Sequence, residues 1–176
     1  MIKKHKRILN VGCGKDTYGT DFVDLYPSRK EIKKVDIENQ KLPFKNNTFN
    51  EVYSAFMIEH LKNINDGIKE MKRVLKKGGK IILLTDNAGW WAFHNSKSKA
   101  SVHYGGYTSQ GKKDIHYALF TPEHLKNHLK WLKFKNIKIS YLEGTEGKII
   151  KFLNKIISLT RFELMAFPHI KITGEK

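Results

Sequence analysis

The sequence predicts an α/β fold organised around a mostly parallel sheet, and three observations predict it. Short apolar runs alternate with amphipathic stretches along the chain, the pattern of strands joined by helical crossovers. The first apolar run ends abruptly in Gly12-Cys13-Gly14, a strand running into a tight turn. The length, 176 residues, suits a single domain that buries one sheet between layers of helices.

Taken in order, Arg7-Ile8-Leu9-Asn10-Val11 reads as a buried first strand, and Asp21 to Leu25 as a second that stops at Tyr26-Pro27. Ile32 to Ile37 reads as a third and Thr48 to Ala55 as a fourth, after the turn-prone Lys45-Asn46-Asn47. Ile64, Ile68, Met71 and Leu75 then recur at helical spacing, with Val74 beside them; Asn65 is a candidate cap and Gly78-Gly79 a candidate stop. Lys80 to Thr85 is apolar enough for a central strand buried on both faces. Thr121-Pro122-Glu123 opens a second helix with a hydroxyl cap, a first-turn proline and an early acid, and Leu125, Leu129 and Leu132 form its apolar stripe. Asn136 to Leu142 alternates as a sixth strand, Ile149 to Leu159 reads as a lysine-bearing amphipathic helix, and Pro168 to Thr173 as a final strand. In such sheets ligands lie at the carboxyl ends of the strands, so the loops after Val11, Leu25, Ile37, Ala55 and Thr85 are expected to surround one site.

Composition narrows the function classes. Hydrophobic residues make up 40%, so the chain is an ordinary globular one. The longest apolar stretches fall far short of the roughly 20 residues of a membrane span. No signal peptide is read at the basic start, and the lone Cys13 fits a reducing, cytoplasmic compartment. The 33 Lys and Arg against 17 Asp and Glu leave a net charge of +16, which attracts polyanions and keeps nucleic acid open as a partner. Many of these lysines, such as Lys69, Lys72 and Lys76, belong to polar helix faces, and net charge reports steering rather than a site.

Four segments carry the chemistry. Gly12 and Gly14 let the backbone turn sharply and let a ligand lie on the peptide plane. Asp24 and Asp36 each close a short apolar strand, where one carboxylate can accept the two hydroxyls of a ribose and the other an adenine amino group; each can also simply begin a solvated turn. Little room remains for a helix between Gly14 and Asp21, so that crossover is expected to be a loop or a single turn. The third segment runs Leu42-Pro43-Phe44 through Phe49-Asn50-Glu51-Val52-Tyr53 to Ile58-Glu59-His60-Leu61, and the fourth is Met71-Lys72-Arg73-Val74-Leu75-Lys76-Lys77-Gly78-Gly79.

In this order, over about residues 7–85, the segments resemble the class I S-adenosylmethionine-dependent methyltransferases, specifically the small type 11 group. The resemblance implies a Rossmann-like three-layer sandwich with a mostly parallel sheet and a shortened first crossover helix, S-adenosyl-L-methionine as cofactor, and transfer of its methyl group to an unidentified acceptor, an RNA or a small molecule. By position it implies that Gly12, Cys13 and Gly14 line the methionine moiety and ribose. Asp24 would hold the ribose hydroxyls with Leu25 beside them, Asp36 and Ile37 would flank the adenine, and Ser54, Ala55 and Phe56 would lie under the sulfonium. The chain departs from the family pattern at Asp16, where a third glycine is usual, and at Asn50, where an aspartate is usual.

A general base is required only if the acceptor must lose a proton. The residues placed for that work are Asp86, at the end of the fifth strand, His60 and His94, with His103 and His116 as further candidates; His60 also suits a packing role. Residues 87–118 form an insertion after the fifth strand. Between Asn87 and Lys113 it lacks acids and mixes Trp90, Trp91, Phe93, Tyr104 and Tyr107 with lysines, which suits a substrate loop, a nucleic-acid contact or a surface insertion alike. His124 and His128 are a helical i, i+4 pair without a third ligand nearby, and no metal is expected. Two rivals remain: a nicotinamide dehydrogenase, which would want a third glycine opening a full helix, and a non-catalytic adenosyl-ligand or nucleic-acid binding protein with the same fold.

Overall fold

The computed structural model describes residues 6–92, 105–107, 113–144, 147–160, 162 and 165–176. Its strands are β1 (Ile8–Val11), β2 (Asp21–Asp24), β3 (Ile32–Lys34), β4 (Phe49–Ala55), β5 (Leu75–Asp86), β6 (Gly105–Tyr107), β7 (Lys113–Ile115), β8 (Lys135–Leu142) and β9 (His169–Glu175). The helices are α1 (Ile64–Val74), α2 (Pro122–Trp131) and α3 (Lys148–Ser158), with a one-turn 3-10 helix at Ile58–His60. Seven strands form one sheet in the order β3-β2-β1-β4-β5-β9-β8, and β6 pairs with β7 inside the insertion. Strands β1 to β5 run parallel, while β9 is antiparallel to both β5 and β8. The order reverses between β1 and β4, which puts the switch point at the glycine turn.

One continuous core joins the sheet to the helical layer. Leu9, Val11, Val52, Ile81, Leu83, Ile170 and Ile172 meet Ile68, Met71 and Val74 of α1 and Leu125 and Leu129 of α2. The two-residue strand period sends the alternate side chains, among them Asn10, Glu51 and Tyr53, to the opposite face. There the Gly12–Thr20 loop gives cover instead of a helix: Tyr18 packs on Tyr53 with ring centroids 4.7 Å apart and donates its hydroxyl to Glu51. That bond pushes the Tyr18 hydroxyl up to about 12. Lys6 lies 2.8 Å from the other Glu51 oxygen.

Several elements differ locally from the expectation. The third strand stops at Lys34 rather than Ile37, although the Val35 amide still donates to the Asp24 carbonyl at 2.9 Å; the chain then turns, which frees Asp36 from the ladder. The cap of α1 is Asn63, whose side chain accepts from the Asp66 amide, because Ile64 already belongs to the buried stripe. Asn65 instead bonds His128 across to α2 at 2.8 Å. Gly78-Gly79 does not stop α1, which ends at Val74. The pair sits where β5 slips register against β4, Gly78 has φ +70°, and its amide donates to the Lys176 carbonyl at 2.9 Å. Thr121 caps α2 as expected, with Pro122 in the first turn. Helix α3 forms, yet it leaves Ile149 and Phe152, and Leu159 just past its end, largely exposed. Asn154 ties it inward by accepting from the indole nitrogens of Trp90 and Trp91 at 3.1 and 2.7 Å. Among the described residues, no helix is long and apolar enough to cross a membrane.

Candidate cofactor and active site

The carboxyl ends of β1, β2 and β4 surround a cavity of about 330 Å³, within the range of small-molecule sites. Its floor is the glycine turn. Gly12 and Gly14 both adopt left-handed backbone, φ +68° and +51°. A Cβ on Gly12 would stand 2.2 Å from Cγ of Met57, so the close approach of the post-β4 turn also requires a glycine there. A Cβ on Gly14 would meet nothing within 4 Å, so the bare peptide opens onto the cavity.

Asp24 and Asp36 both line the cavity. Each also serves its own loop. Asp24 accepts from the Gly14 and Tyr26 amides, both at 2.7 Å, and so fixes the glycine turn against the end of β2. Asp36 accepts from the Glu38 amide at 3.1 Å and the Asn39 side chain at 2.8 Å. The two readings of these acids, ligand contact and turn former, are therefore compatible: an ionised carboxylate offers about four lone-pair sites, and the turn uses two.

Of the other expected cofactor residues, Leu25, Ile37 and Phe56 line the cavity. Phe56 does so with φ +50°, an uncommon conformation for a non-glycine residue and one that concentrates at functional sites. Cys13, Ser54 and Ala55 are not among the lining side chains. Cys13 is buried behind the turn, and burial pushes its thiol up to about 11. Ser54 shares the core face of β4 with Val52 and donates to the Val11 carbonyl at 2.9 Å, which holds the tips of β4 and β1 together. Sequence reasoning missed Tyr26, Glu38, Met57 and Leu61 as lining residues. Each directly follows or neighbours an expected position, and the signal available was that adjacency.

His60 also lines the cavity, and its ring meets that of His116 edge-on at 4.5 Å. Asp86 is not among the lining residues: it faces its strand partner on β9, with Oδ1 3.0 Å from Nδ1 of His169, whose ring packs edge-on against Phe56 at 5.0 Å. His94 and His103 lie outside the described residues, as does much of the 87–118 insertion.

The third and fourth sequence segments form one physical unit. Arg73 donates to the carbonyls of Leu42 and Phe44 at 3.0 and 2.9 Å, to Asn46 at 2.7 Å and to both oxygens of Glu70. Glu70 in turn accepts from the Leu42 amide at 2.7 Å. This clamp fastens the Leu42-Pro43-Phe44 segment to α1, and the Arg73 guanidinium holds the Glu70 carboxyl below its ordinary range.

Comparison with known proteins agrees with this geometry. Residues 20–83, less than half of the chain, match the type 11 family model described as a methyltransferase domain. The chain is 28% identical to a sterol 4-C-methyltransferase of Caenorhabditis elegans over 47% of its own length and 31% of that protein's. It is 30% identical to a demethylmenaquinone methyltransferase of a Geobacillus species over 47% of its own length and 46% of that protein's. The chain thus spans less than half the length of either relative. Its fold superimposes on the crystal structure of a SAM-dependent methyltransferase from Archaeoglobus fulgidus with a TM-score of 0.67 and 17% identity, covering 99% of this chain and 87% of the other. This chain therefore shares its Rossmann-like α/β fold with an S-adenosylmethionine-dependent methyltransferase of known structure. Residues 20–83 are the part of the chain that is similar to a methyltransferase domain.

Proposed function

We propose that this chain binds S-adenosyl-L-methionine in the β1–β2–β4 cavity and transfers its methyl group to an acceptor, a small molecule or an RNA. The observation that carries the reading is the shared cavity wall: a left-handed glycine turn with open space above Gly14, flanked by the two strand-tip carboxylates, Asp24 and Asp36. The residues fit the cofactor's parts. The bare peptide at Gly14 receives the methionine and ribose, Asp24 the ribose hydroxyls, and Asp36 with Ile37 the adenine edge. Phe56 and Met57 supply apolar contact beside the sulfonium.

The bound cofactor supplies an electrophilic methyl group on a sulfonium with a neutral leaving group. The protein's work is then orientation, which is worth up to roughly 7–11 kcal/mol when the reacting atoms are aligned. Met57 and the turn after β4 fix one side of the cavity, and the Asp24–Gly14 bond fixes the other. His60 is placed to accept a proton from an acceptor that must lose one. Asp86 acts behind the wall by orienting His169, which supports Phe56. The chain acts as one domain, with an insertion at about 87–118 after the fifth strand. The net charge of +16 favours approach of a polyanion, and a buried lone cysteine suits a reducing, cytoplasmic setting.

The test is incubation with methyl-labelled cofactor and cell extract, followed by separation into RNA, protein and small-molecule fractions. The reading expects label in the RNA or small-molecule fraction that disappears with Asp24→Asn. Tight cofactor binding with no label transferred to any fraction would make the chain a binding protein instead.

A further inference from the structure

We propose that Glu59, His60 and His116 form a binding site for a divalent first-row transition-metal cation at the edge of the cofactor cavity. The sequence alone predicts no metal, and Glu59 and His116 are far apart in the chain. The fold brings them together. One ligand atom from each of the three residues lies within 4.8 Å of the others, the one such grouping of three among the described residues.

The surroundings are arranged as a metal site's are. Glu59 is 2% exposed, and Thr85 at the end of β5 donates to its Oε2 at 3.1 Å, which orients the carboxylate. The Glu59 carbonyl accepts from the Tyr117 and Ala118 amides at 2.8 and 3.2 Å, which pins the His116 segment beside the 3-10 turn. Nδ1 of His60 lies 3.1 Å from the Ile115 carbonyl. A carbonyl only accepts, so Nδ1 carries the proton, and the neutral ring then presents the Nε2 lone pair. A backbone carbonyl fixing the tautomer of a ligating histidine is the usual outer partner of such sites.

Two imidazoles and one carboxylate are the donor set of catalytic zinc and of open non-haem iron sites, and they favour borderline cations over magnesium or calcium. Two ligands held at about 2.0–2.2 Å from one ion are at most about 4.4 Å apart, so the cluster closes on an ion by side-chain movements on the order of an ångström. Among the described residues His124 and His128 gather no third ligand, and their Nδ1 atoms face Thr121 and Asn65. Because His60 also lines the cavity, an ion held by the cluster would lie at the cavity's edge. An ion there would take an oxygen of the methyl acceptor and ease loss of its proton in place of His60, whose two ring nitrogens would then be engaged; that role, unlike cation binding itself, rests on the methyl-transfer reading.

The experiment is calorimetric titration of Zn²⁺ into chelator-treated protein, with S-adenosylhomocysteine binding measured in parallel. One Zn²⁺ is expected to bind the intact protein, at least about 100-fold more weakly in His116→Ala, and unchanged in His124→Ala. S-adenosylhomocysteine affinity within about twofold of the unmutated protein's shows that the variant folds. Co²⁺ added to the unmutated protein provides a second reading that needs no variant, the appearance of ligand-field absorption in the visible. Absence of Zn²⁺ binding, equal binding by His116→Ala, or no Co²⁺ spectrum would overturn the site. Zn²⁺ binding without S-adenosylhomocysteine binding would leave it standing and count against the methyl-transfer reading.

Discussion

The two sides of the sheet's switch point are held together by different means. From β1 to β4 the described crossovers contain no helix, and carboxylates that accept from nearby amides and side chains staple the loops. Asp16 accepts from the Tyr18 amide and Asn10, Asp24 from Gly14 and Tyr26, and Asp36 from Glu38 and Asn39. From β4 onward, α1 and α2 do this work through apolar stripes and capped first turns. The difference teaches that in the cofactor half the residues that would touch the ligand also build the loops that present them. Substitutions there are expected to lose binding and stability together, whereas substitutions in the helical half should separate the two.

The largest effect is expected from Gly12→Ala. It forces a left-handed alanine and drives Cβ into Met57, costing about 3–5 kcal/mol and cofactor binding with it. Urea denaturation and calorimetry check both halves of that statement. Arg73→Ala should follow at about 3 kcal/mol, since it leaves Glu70 and two carbonyls without their donor. It sharpens the comparison because Arg73 stands on a helix but holds a cofactor-side loop, so affinity should fall as well.

Glu70→Gln should cost about 2 kcal/mol at neutral pH. The Arg73 bond lowers the carboxyl below its ordinary value of 4.5, so its contribution is complete above that value and is lost as pH falls through the lower folded one. The gap in stability between the two proteins should therefore stay constant from neutral pH to about 5 and close in stronger acid, as acid-denaturation curves would show. Thr121→Ala should cost about 1 kcal/mol through loss of the α2 cap while leaving cofactor affinity unchanged. A fall in affinity there would break the division between the two halves.

What could be read from the sequence divides along the same line. The α2 start was legible because a cap, a proline and an acid act within one turn. Gly12, Gly14, Asp24 and Asp36 were legible because strand ends and glycines mark the switch point locally. The α1 cap was misplaced by two residues because Asn63 and Asn65 offer the same chemistry, and only the burial of Ile64 decides between them. Gly78-Gly79 suits a helix stop and a bulge equally; the register of β5 against β4 selects the bulge. Cys13 and Ser54 were expected in the cavity wall, yet both lie buried behind it, and for Ser54 the strand period already assigned it to the core face with Val52. Asp86 was expected to face the site, but the antiparallel return of β9 brings His169 beside it, a pairing that no local pattern encodes. The Arg73 clamp and the Glu59–His60–His116 cluster are products of tertiary contact: the sequence marks the segments that hold Arg73, Glu59 and His60, but not the pairings the fold makes between distant segments.

The most direct test of the central claim is calorimetric titration of S-adenosylhomocysteine into the unmutated chain and into Asp24→Asn, alongside their unfolding curves. The account predicts one site of micromolar affinity, weakened at least about tenfold by the substitution beyond what its loss of stability explains. No binding by the unmutated chain, or undiminished binding by Asp24→Asn, would contradict it.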